Sequence, residues 1–425
     1  MIEVGISVVD ITPPAGSIMA GYAARTNFAL GKNDPLTVRA IVVGKTALVT
    51  ADVIGIDATM SKRVRRQCNL PDQAITIAAT HTHSGPPSMP GRLFSPIDIK
   101  FITKLEKALI NAINTANSSK VPVKMFGGVG EEPGIAKNRR YEGGTVDKGI
   151  PILRFEDMNG KTIALMVSYA CHPVVLGPDN LLWSADYIHY CRKELEGFFP
   201  GAIAIFATGC AGDVNTGHSA KSSLSKSPQP QRTFAAAQQV GIRIATSVYS
   251  AEMHLLETTY GSAETFTKLE FSVLESSSSL ELSRRWGQKA KIDPENEAIL
   301  NIWSNWAENI MDTNMNPINL RSTALYWGGA MIISLPGEIF AETALRMRQK
   351  ISSVGPLFLL SYADDNPGYI PPKSEYNKGG YEVEEAHRFY GLGATFAPGS
   401  AERLESAGRV VWESAILNLS TNSHT

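Results

Sequence analysis

The sequence has little cysteine. Four cysteines occur in 425 residues, and none of them forms a C-x-x-C pair: Cys68, Cys171, Cys191 and Cys210. Cysteines scattered in this way are typical of buried thiols in a reducing compartment and argue against a disulfide-rich scaffold. We therefore expect a cytoplasmic protein.

An excess of charge of either sign is also absent. The chain has 40 Lys and Arg residues against 41 Asp and Glu residues, a net charge of −1, so nothing indicates a nucleic acid or an anionic membrane as a partner. No apolar run reaches the length of a transmembrane helix, and the first residues, MIEVGISVVDITPP, lack the basic and apolar regions of a signal peptide. We expect no export signal and no stable association with a membrane.

Strand and helix patterns alternate along the whole chain. With 43% hydrophobic and 19% charged residues, the 425 residues suit one large domain or two closely associated ones. The alternation predicts an α/β fold of layered mixed β-sheets flanked by helices. Strands are predicted at 4–12, 38–56, 75–83, 121–130, 152–156, 162–172, 202–209, 263–273, 324–338 and from 356. Helices are predicted at 57–67, 97–117, after 186, at 234–256, twice between 280 and 311, at 338–350 and at 401–419.

The stretch ITIAATHTHSG, from Ile75 to Gly85, carries two histidines at the end of an apolar strand. Alternate side chains of a strand point to the same face, so we expect His81 and His83 to project together. Neutral imidazoles in such a pair are suitable zinc ligands. The alternative interpretation, one core histidine and one surface histidine, has equal weight for this motif alone.

Three further strand ends carry polar residues beside glycine or proline: His172, the turn Gly209–Asn215, and Glu338. Functional groups of α/β proteins gather at the carboxyl ends of strands, so we expect these residues to converge there. Each also has a structural interpretation, since His172 can be a core histidine and Glu338 can favour a helix N-terminus. Together they predict a His/His/Glu zinc site.

The motifs at these positions resemble those of the neutral or alkaline, non-lysosomal ceramidases, zinc amidases that cleave the N-acyl bond of ceramide. The resemblance covers the catalytic domain of that family almost end to end and implies one catalytic domain over 1–425, with halves 1–256 and 257–425. The motifs are ATHTHSGP at 79–86, Asn138-Arg139, CHP at 171–173 with the Leu-Leu-x-Ser-x-Asp that follows, LPGE at 335–338, and Gly368-Tyr369-Ile370 with Tyr381-Glu382.

The resemblance also implies roles for individual residues. The implied ligands of Zn²⁺ are His81, His172, Glu338 and Tyr369. The residues that it places around the substrate amide are His83, Arg139 and Tyr381. On this assignment a water molecule activated by the metal attacks the amide, and His83 carries the proton to the leaving nitrogen.

The sequence departs from the family pattern in two ways. Where the family has G-D-V-S-P-N, this chain has Gly212-Asp213-Val214-Asn215-Thr216. An amide side chain is not a nucleophile, which excludes an acyl-enzyme on Asn215. Asn215 could instead donate a hydrogen bond to the substrate or simply hold the turn. The second departure is an expectation: we expect no C-terminal immunoglobulin-like domain of the kind the family has, which would make a membrane lipid a less suitable substrate.

Three functions follow, in this order. The first is a zinc-dependent amidase of a soluble or mildly apolar, small N-acyl substrate. The second retains the mechanism with ceramide or another N-acyl lipid as substrate. The third is a catalytically inactive binding homologue, because the family serine is missing. An amidohydrolase barrel is a rival fold, but the H-x-H motif follows several strands rather than the first one.

Overall fold

Strands and helices alternate along the chain in the computed structural model, which describes residues 1–93, 96–223, 229–274, 277–294, 296–309 and 316–421. In chain order the strands are β1 (Ile2–Asp10), β2 (Gly31–Lys32), β3 (Thr37–Val43), β4 (Thr46–Ala51), β5 (Ile75–Ala79), β6 (Val121–Glu131), β7 (Lys137–Asn138), β8 (Gly149–Asp157), β9 (Thr162–Tyr169), β10 (Leu182–Trp183), β11 (Ile203–Thr208), β12 (Val214–Asn215), β13 (Met253–Leu255), β14 (Thr259–Leu269), β15 (Phe271–Ser272), β16 (Ile318–Trp327), β17 (Ala330–Ser334), β18 (Glu338–Ile339), β19 (Leu357–Leu360), β20 (Tyr369–Ile370), β21 (Thr395–Phe396) and β22 (Ser420–Thr421).

In chain order the helices are α1 (Ala58–Gln67), α2 (Ile99–Ser118), α3 (Tyr187–Phe198), α4 (Phe234–Tyr249), α5 (Ser279–Ala290), α6 (Glu297–Asn309), α7 (Ala341–Lys350) and α8 (Ser400–Leu417). Several of them begin after a residue whose side chain caps the first turn, as α1, α2, α4 and α5 do. In α2, the Asp98 side chain accepts a hydrogen bond from the backbone N–H of Phe101 at 3.0 Å, while Leu105, Leu109 and Ile113 are buried along one face. None of the helices within the described ranges combines the length and the apolar character needed to cross a membrane.

Two large sheets organise the molecule. Nine strands form the larger sheet, in the order β11-β9-β8-β6-β1-β3-β4-β5 with β13 beside β6, and five form the smaller, in the order β19-β17-β16-β14-β22. The pairs β9/β11, β4/β5 and β17/β19 are parallel, whereas β1/β3, β6/β8 and β14/β16 are antiparallel. The predicted α/β fold with mixed sheets is therefore confirmed.

The sheets pack face to face and helices cover their outer faces. Along β3, Ala40 and Val42 face the core beneath α1 and α2, while Ile41 and Val43 face the core shared with the second sheet. That shared core also contains Trp327 of β16. Helices α3 and α4 cover the other end of the nine-stranded sheet, and α7 and α8 cover the five-stranded sheet. A sheet buried on both faces explains why its strands have near-continuous apolar sequences.

The carboxyl ends of parallel strands from both sheets meet at one edge of the molecule. Isolated β-bridges there join Gly209 to Leu360 and Ala78 to Ala363, so the chain after β11 lies against the end of β19, and the end of β5 lies against the segment that follows β19. The strand ends at which polar residues were predicted to converge are therefore adjacent, although they belong to two sheets.

Some predicted bounds and environments differ from the structure. The helix predicted at 234–256 ends at Tyr249, and the chain reverses so that β13 pairs with β6. Glu338 does not open a helix: it lies in β18, and α7 begins at Ala341 after Phe340. Of the loop predicted to be exposed at 217–232, residues 224–228 lie outside the described residues, and Arg232 is buried because its guanidinium donates to backbone carbonyls. The predicted end of the second helix at Met311 also lies outside the described residues.

Candidate metal centre

His81 and His83 lie side by side, with their Nε2 atoms 3.3 Å apart. The strand alternation invoked to predict this is not the cause, because β5 ends at Ala79 and the chain turns at His81, whose φ is 66°. The backbone N–H of His81 donates to the carbonyl of Val53 at 3.0 Å and holds this left-handed conformation. The two side chains thus converge through a bend in the backbone.

His172 completes a group of three imidazoles whose ligand atoms all lie within 4.8 Å of one another. Each ring is oriented by a hydrogen bond from Nδ1 to a backbone carbonyl. The acceptors are Ile54 at 2.6 Å for His81, Gly21 at 2.8 Å for His83 and Ala211 at 2.5 Å for His172. With Nδ1 donating, each Nε2 presents a lone pair to the centre of the group; histidines that bind metals usually donate their other ring N–H to a carbonyl or carboxylate in this way.

Glu338 adds a carboxylate to this centre. Its Oε2 atom lies 3.0 Å from Nε2 of His172 and 3.5 Å from Nε2 of His81, and the side chain is fully buried. Oε1 accepts a hydrogen bond from the hydroxyl of Tyr390. Gly212 makes this approach possible, because a Cβ on it would lie 2.7 Å from the backbone oxygen of Glu338.

The protonation states suit a cation. Burial is the largest influence on His172, and it lowers the pKa to about 4; burial likewise lowers the pKa of His83 well below its usual value. Both rings are therefore neutral at pH 7. Burial raises the pKa of Glu338, but His81 and His172 outweigh it and the carboxyl pKa lies well below its usual value. Lone pairs and a carboxylate facing each other at 3.0–3.5 Å repel unless a positive ion lies between them. The donor set fits a divalent metal such as zinc.

A narrow pocket opens beside this centre. His83, Arg139, Tyr369, Tyr381 and Tyr390 contribute its polar wall. The remaining lining residues are mostly apolar or small: Gly21, Tyr22, Ala23, Ile54, Leu93, Val174, Ala220 and Phe389. Of the three histidines only His83 lines the pocket, since His81 and His172 lie behind it with 1% and 0% exposure.

Arg139 and the two predicted tyrosines form one side of the pocket. Nη2 of Arg139 donates to the hydroxyl of Tyr369 at 2.8 Å, and Nε donates to Glu382 at 2.8 Å. The rings of Tyr369 and Tyr381 meet edge to face with centroids 5.8 Å apart. The structure therefore brings Arg139, Tyr369 and Tyr381 together at the pocket, while a role of Tyr369 as a metal ligand stays a prediction.

Asn215 is occupied within its own turn. Its Nδ2 donates to the carbonyl of His218 at 2.6 Å, and its Oδ1 accepts from the backbone N–H groups of Gly217 and His218 at 2.8 and 2.9 Å. Asn215 does not line the pocket. Of the two roles left open for it, these contacts are those of a residue that holds the turn.

Asp213, in the same turn, forms hydrogen bonds with two neighbouring segments of the chain. Its carboxylate accepts hydrogen bonds from Asn138 Nδ2 at 2.7 Å and from the backbone N–H of Ala341 at 2.8 Å. The carbonyl of Asp213 accepts from the backbone N–H of Arg139 at 2.8 Å. The turn thus ties Arg139 and the start of α7 to the end of β11.

Three neighbours of the site were not predicted from the sequence. They are Tyr390, which donates to Glu338; Glu382, which pairs with Arg139; and Tyr362, whose ring stacks on His81 at 4.0 Å between centroids. Tyr362 has a φ of 57° and follows β19 by two residues, so its position after an apolar strand was an available signal. Nothing local to the sequence distinguishes Tyr390.

Comparisons with known proteins agree with this geometry. Neutral ceramidase B of Dictyostelium discoideum is 30% identical over 169 residues, which cover 33% of this chain and 23% of that protein. Neutral ceramidase of Pseudomonas aeruginosa is 25% identical over 244 residues, which cover 50% of this chain and 36% of that protein. The matched stretches thus span only about a quarter to a third of these relatives. No protein-family model matches the chain.

Solved structures extend the likeness to the whole fold. The crystal structure of neutral ceramidase from Pseudomonas aeruginosa superposes with a TM-score of 0.72 and 18% identity, over 100% of this chain and 76% of that one. A structure described as a ceramidase complexed with C2 gives a TM-score of 0.72 and 17% identity, over 96% of this chain and 74% of that one. The predicted resemblance is confirmed: the chain is similar in sequence to neutral ceramidases over part of its length and similar in fold over its whole length.

Proposed function

We propose that the chain is a metal-dependent hydrolase that cleaves an amide bond of an N-acyl compound. One observation carries the proposal: three oriented imidazoles and a buried carboxylate converge beside a pocket. The relatives bear the name ceramidase, and ceramide is itself an N-acyl compound. An inactive binding homologue would not need three imidazoles and a carboxylate to meet beside the pocket. This arrangement therefore disfavours that alternative.

In this proposal His81, His172 and Glu338 hold the ion, with Tyr369 as the fourth ligand. Nitrogen and oxygen donors without thiolate suit Zn²⁺, and a fifth position would take water or substrate. A zinc ion in such a site polarises a carbonyl and makes water acidic enough to react near neutral pH. The free cysteines are not needed as ligands, and burial raises the pKa of Cys210 to about 12 and that of Cys171 well above its usual value.

His83 is the proton carrier. Its Nδ1 is committed to the carbonyl of Gly21, so its Nε2 is the atom that can accept a proton from the attacking water and deliver it to the leaving nitrogen. Arg139 and Tyr381 line the same pocket and would orient the acyl oxygen and stabilise its negative charge. Because the family serine is replaced by Asn215, water attacks the amide directly and no acyl-enzyme forms.

Two substrate classes are compatible with this mechanism. The first is a soluble or mildly apolar N-acyl compound, and the small volume of the pocket supports it. The second is ceramide or another N-acyl lipid, which the names of the relatives favour. The apolar lining residues Ile54, Leu93 and Phe389 would contact an acyl chain in either case.

Metal analysis followed by a substrate panel tests the proposal. We expect about one zinc ion per chain, lost in His172→Ala and retained in His254→Ala, a control whose histidine side chain is 71% exposed. The panel contains short N-acyl amines, N-acyl amino acids and ceramides of different chain lengths. Faster turnover of long-chain ceramide than of the small amides would reverse the order of the two substrate classes. Protein without a bound transition metal, or without turnover of any amide, would contradict the proposed function.

A further inference from the structure

Helices α5 and α6 form a hairpin that encloses one arginine of a distant segment. We call Trp286, Trp303 and Trp306 the tryptophan cage; Trp286 lies 5.6 Å from Trp303 and 6.2 Å from Trp306 between ring centroids. The guanidinium carbon of Arg388 lies 4.9, 4.8 and 5.4 Å from the centroids of these three rings, in the same order. Arg388 is only 6% exposed. A cation over ring faces is attracted most strongly where water is excluded, as it is here.

The segment that carries Arg388 forms a wall of the candidate active site. We call residues 381–390 the strap; it consists of a π turn at Tyr381–Glu385 and a 3-10 turn at Ala386–Tyr390. Tyr381, Phe389 and Tyr390 of the strap line the pocket, and Tyr390 also donates to Glu338.

The opposite side of the strap faces the tryptophan cage. The ring of His387 meets Trp306 edge to face at 5.4 Å, and Nε1 of Trp306 donates to the carbonyl of Leu392 at 2.9 Å. Consecutive residues therefore point to opposite sides: His387 and Arg388 to the cage, Phe389 and Tyr390 to the pocket. Such an irregular segment has no strand ladder to fix it, so its side-chain contacts, together with the backbone hydrogen bond from Leu93 to the carbonyl of Phe389, set its position.

We propose that Arg388 is a positioning residue: stacked in the tryptophan cage, it fixes the strap so that Tyr390 reaches Glu338 and Tyr381 faces the substrate. For its effect on turnover the proposal rests on the proposed hydrolase function. Outer-shell partners of metal ligands commonly change activity by 10–100-fold when they are lost. Lysine retains the charge of arginine but not the planar surface that stacks on aromatic rings, so Arg388→Lys should retain part of the effect.

The test compares Arg388→Met and Arg388→Lys with Arg285→Ala in the full chain. Arg285 is the matched control, because it is an exposed arginine whose guanidinium lies 5.8 Å from the ring of Trp286 but belongs to α5 rather than to the strap. The measurements are near-ultraviolet circular dichroism of the tryptophans, amide hydrogen exchange of residues 381–390, bound zinc, and kcat and KM separately. A thermal melt of each variant separates misfolding from misplacement of the strap.

We expect Arg388→Met to change the tryptophan signal, to speed hydrogen exchange in the strap at least tenfold and to lower kcat roughly 10–100-fold at unchanged zinc content. Arg388→Lys should lie between Arg388→Met and the wild type, and Arg285→Ala should match the wild type. Unchanged hydrogen exchange in the strap of Arg388→Met would overturn the proposal, and so would faster exchange with a normal kcat. Absence of amide turnover in the wild type would instead refute the proposed function, while hydrogen exchange still decides whether Arg388 fixes the strap.

Discussion

His83 differs from the other two histidines in what it faces. All three imidazoles donate through Nδ1 to a carbonyl, but only His83 lines the pocket, where its ring lies 5.0 Å from that of Tyr22. His81 and His172 contact Glu338 instead. In the proposed function, the two histidines of one His-x-His motif therefore have different roles, with His83 at the substrate and His81 at the metal.

Replacing His83 separates proton transfer from metal binding. We expect His83→Ala to retain zinc and to lose roughly 10²–10⁴-fold in kcat, the usual range for a general acid–base. Asn215→Ala is the companion variant, and it should lose less because both polar ends of Asn215 serve its own turn. Loss of zinc from His83→Ala would make His83 a ligand, and a covalent acyl adduct trapped on the enzyme would refute direct attack by water.

Gly21 offers a second test of how His83 is positioned. Its φ is 104°, its carbonyl accepts from Nδ1 of His83, and a Cβ on it would lie 2.7 Å from the Cα of His83. Gly16 is a matched control with φ 84° and nothing within 4 Å of an added Cβ. Both Gly→Ala variants should lose about 1–2 kcal/mol of stability from the left-handed conformation.

Only Gly21→Ala displaces His83, so we expect it to lose about 10²-fold in kcat while Gly16→Ala keeps normal turnover. Steady-state kinetics at matched zinc content measures this difference. Equal kcat in the two variants would show that the position of His83 does not limit turnover.

At this scale the sequence predicted the residues that follow an apolar strand within a few positions, namely His81, His83, His172 and Glu338. The resemblance supplied Arg139, Tyr369 and Tyr381. Tyr390 was missed because its contact with Glu338 depends on the irregular path of the strap, which has no periodic pattern.

At the scale of elements, the N-cap of α3 is a buried carboxylate, and burying its charge costs free energy. Asp186 is the N-cap, with φ 57°, and its carboxylate accepts from the backbone N–H groups of Tyr187, Leu176 and Val175 at 2.7, 2.8 and 3.3 Å. It is 1% exposed. Burial, the largest influence, raises the pKa of its carboxyl to about 6 in spite of these hydrogen bonds.

This raised pKa predicts a dependence of stability on pH. The reference pKa of Asp is 3.8, so between about pH 4 and 6 folded Asp186 keeps a proton that the unfolded chain has released. Its contribution to stability is present at low pH and is lost as the pH rises through 6. Asn does not titrate, so the free energy of unfolding of Asp186→Asn relative to wild type should increase from pH 4 to 7, by about 3 kcal/mol at most.

Urea unfolding of both proteins across this pH range measures the difference. Asp179→Asn, at an exposed position nearby, is the control and should show no such trend. A difference between Asp186→Asn and wild type that stays flat from pH 4 to 7 would contradict the prediction.

Most elements were predicted because their hydrophobic period is strong, as in α2, where Leu105, Leu109 and Ile113 are buried. The end of α4 was missed because its apolar pattern runs on into β13, where pairing with β6 decides the conformation. Tertiary contacts of this kind leave no local mark on the sequence.

At the scale of the whole molecule, the site is shared between the two sheets. His81 and His172 follow strands of the nine-stranded sheet, whereas Glu338 follows a strand of the five-stranded one. The sequence predicted that the strand ends would converge, but not that two sheets packed through a common core would bring them together, because strand order and sheet packing depend on long-range pairing. The division into halves 1–256 and 257–425 stays a prediction.

Removing the metal should therefore lower the stability of the whole protein. An ion that binds only the folded state adds about 2.7 kcal/mol at a free concentration one hundred times its Kd. We expect a chelator to lower the Tm of the wild type by a few degrees, reversibly on adding zinc, and to leave His172→Ala unchanged. Calorimetry with and without chelator measures this, and an equal shift in both proteins would argue against a metal held by His172.

The order of the proposed ligands along the chain determines when, during synthesis, the protein could first bind the ion. When the ribosome has made the first 256 residues, the nascent chain contains both proposed histidine ligands. Glu338 and Tyr369 are still to be synthesised at that point. A nascent chain or a truncated fragment of that length lacks the carboxylate that brings an ion to the imidazoles. On the proposed ligand set, metal uptake would therefore be a late event in biogenesis, because it would require translation as far as residue 369 and assembly of both sheets.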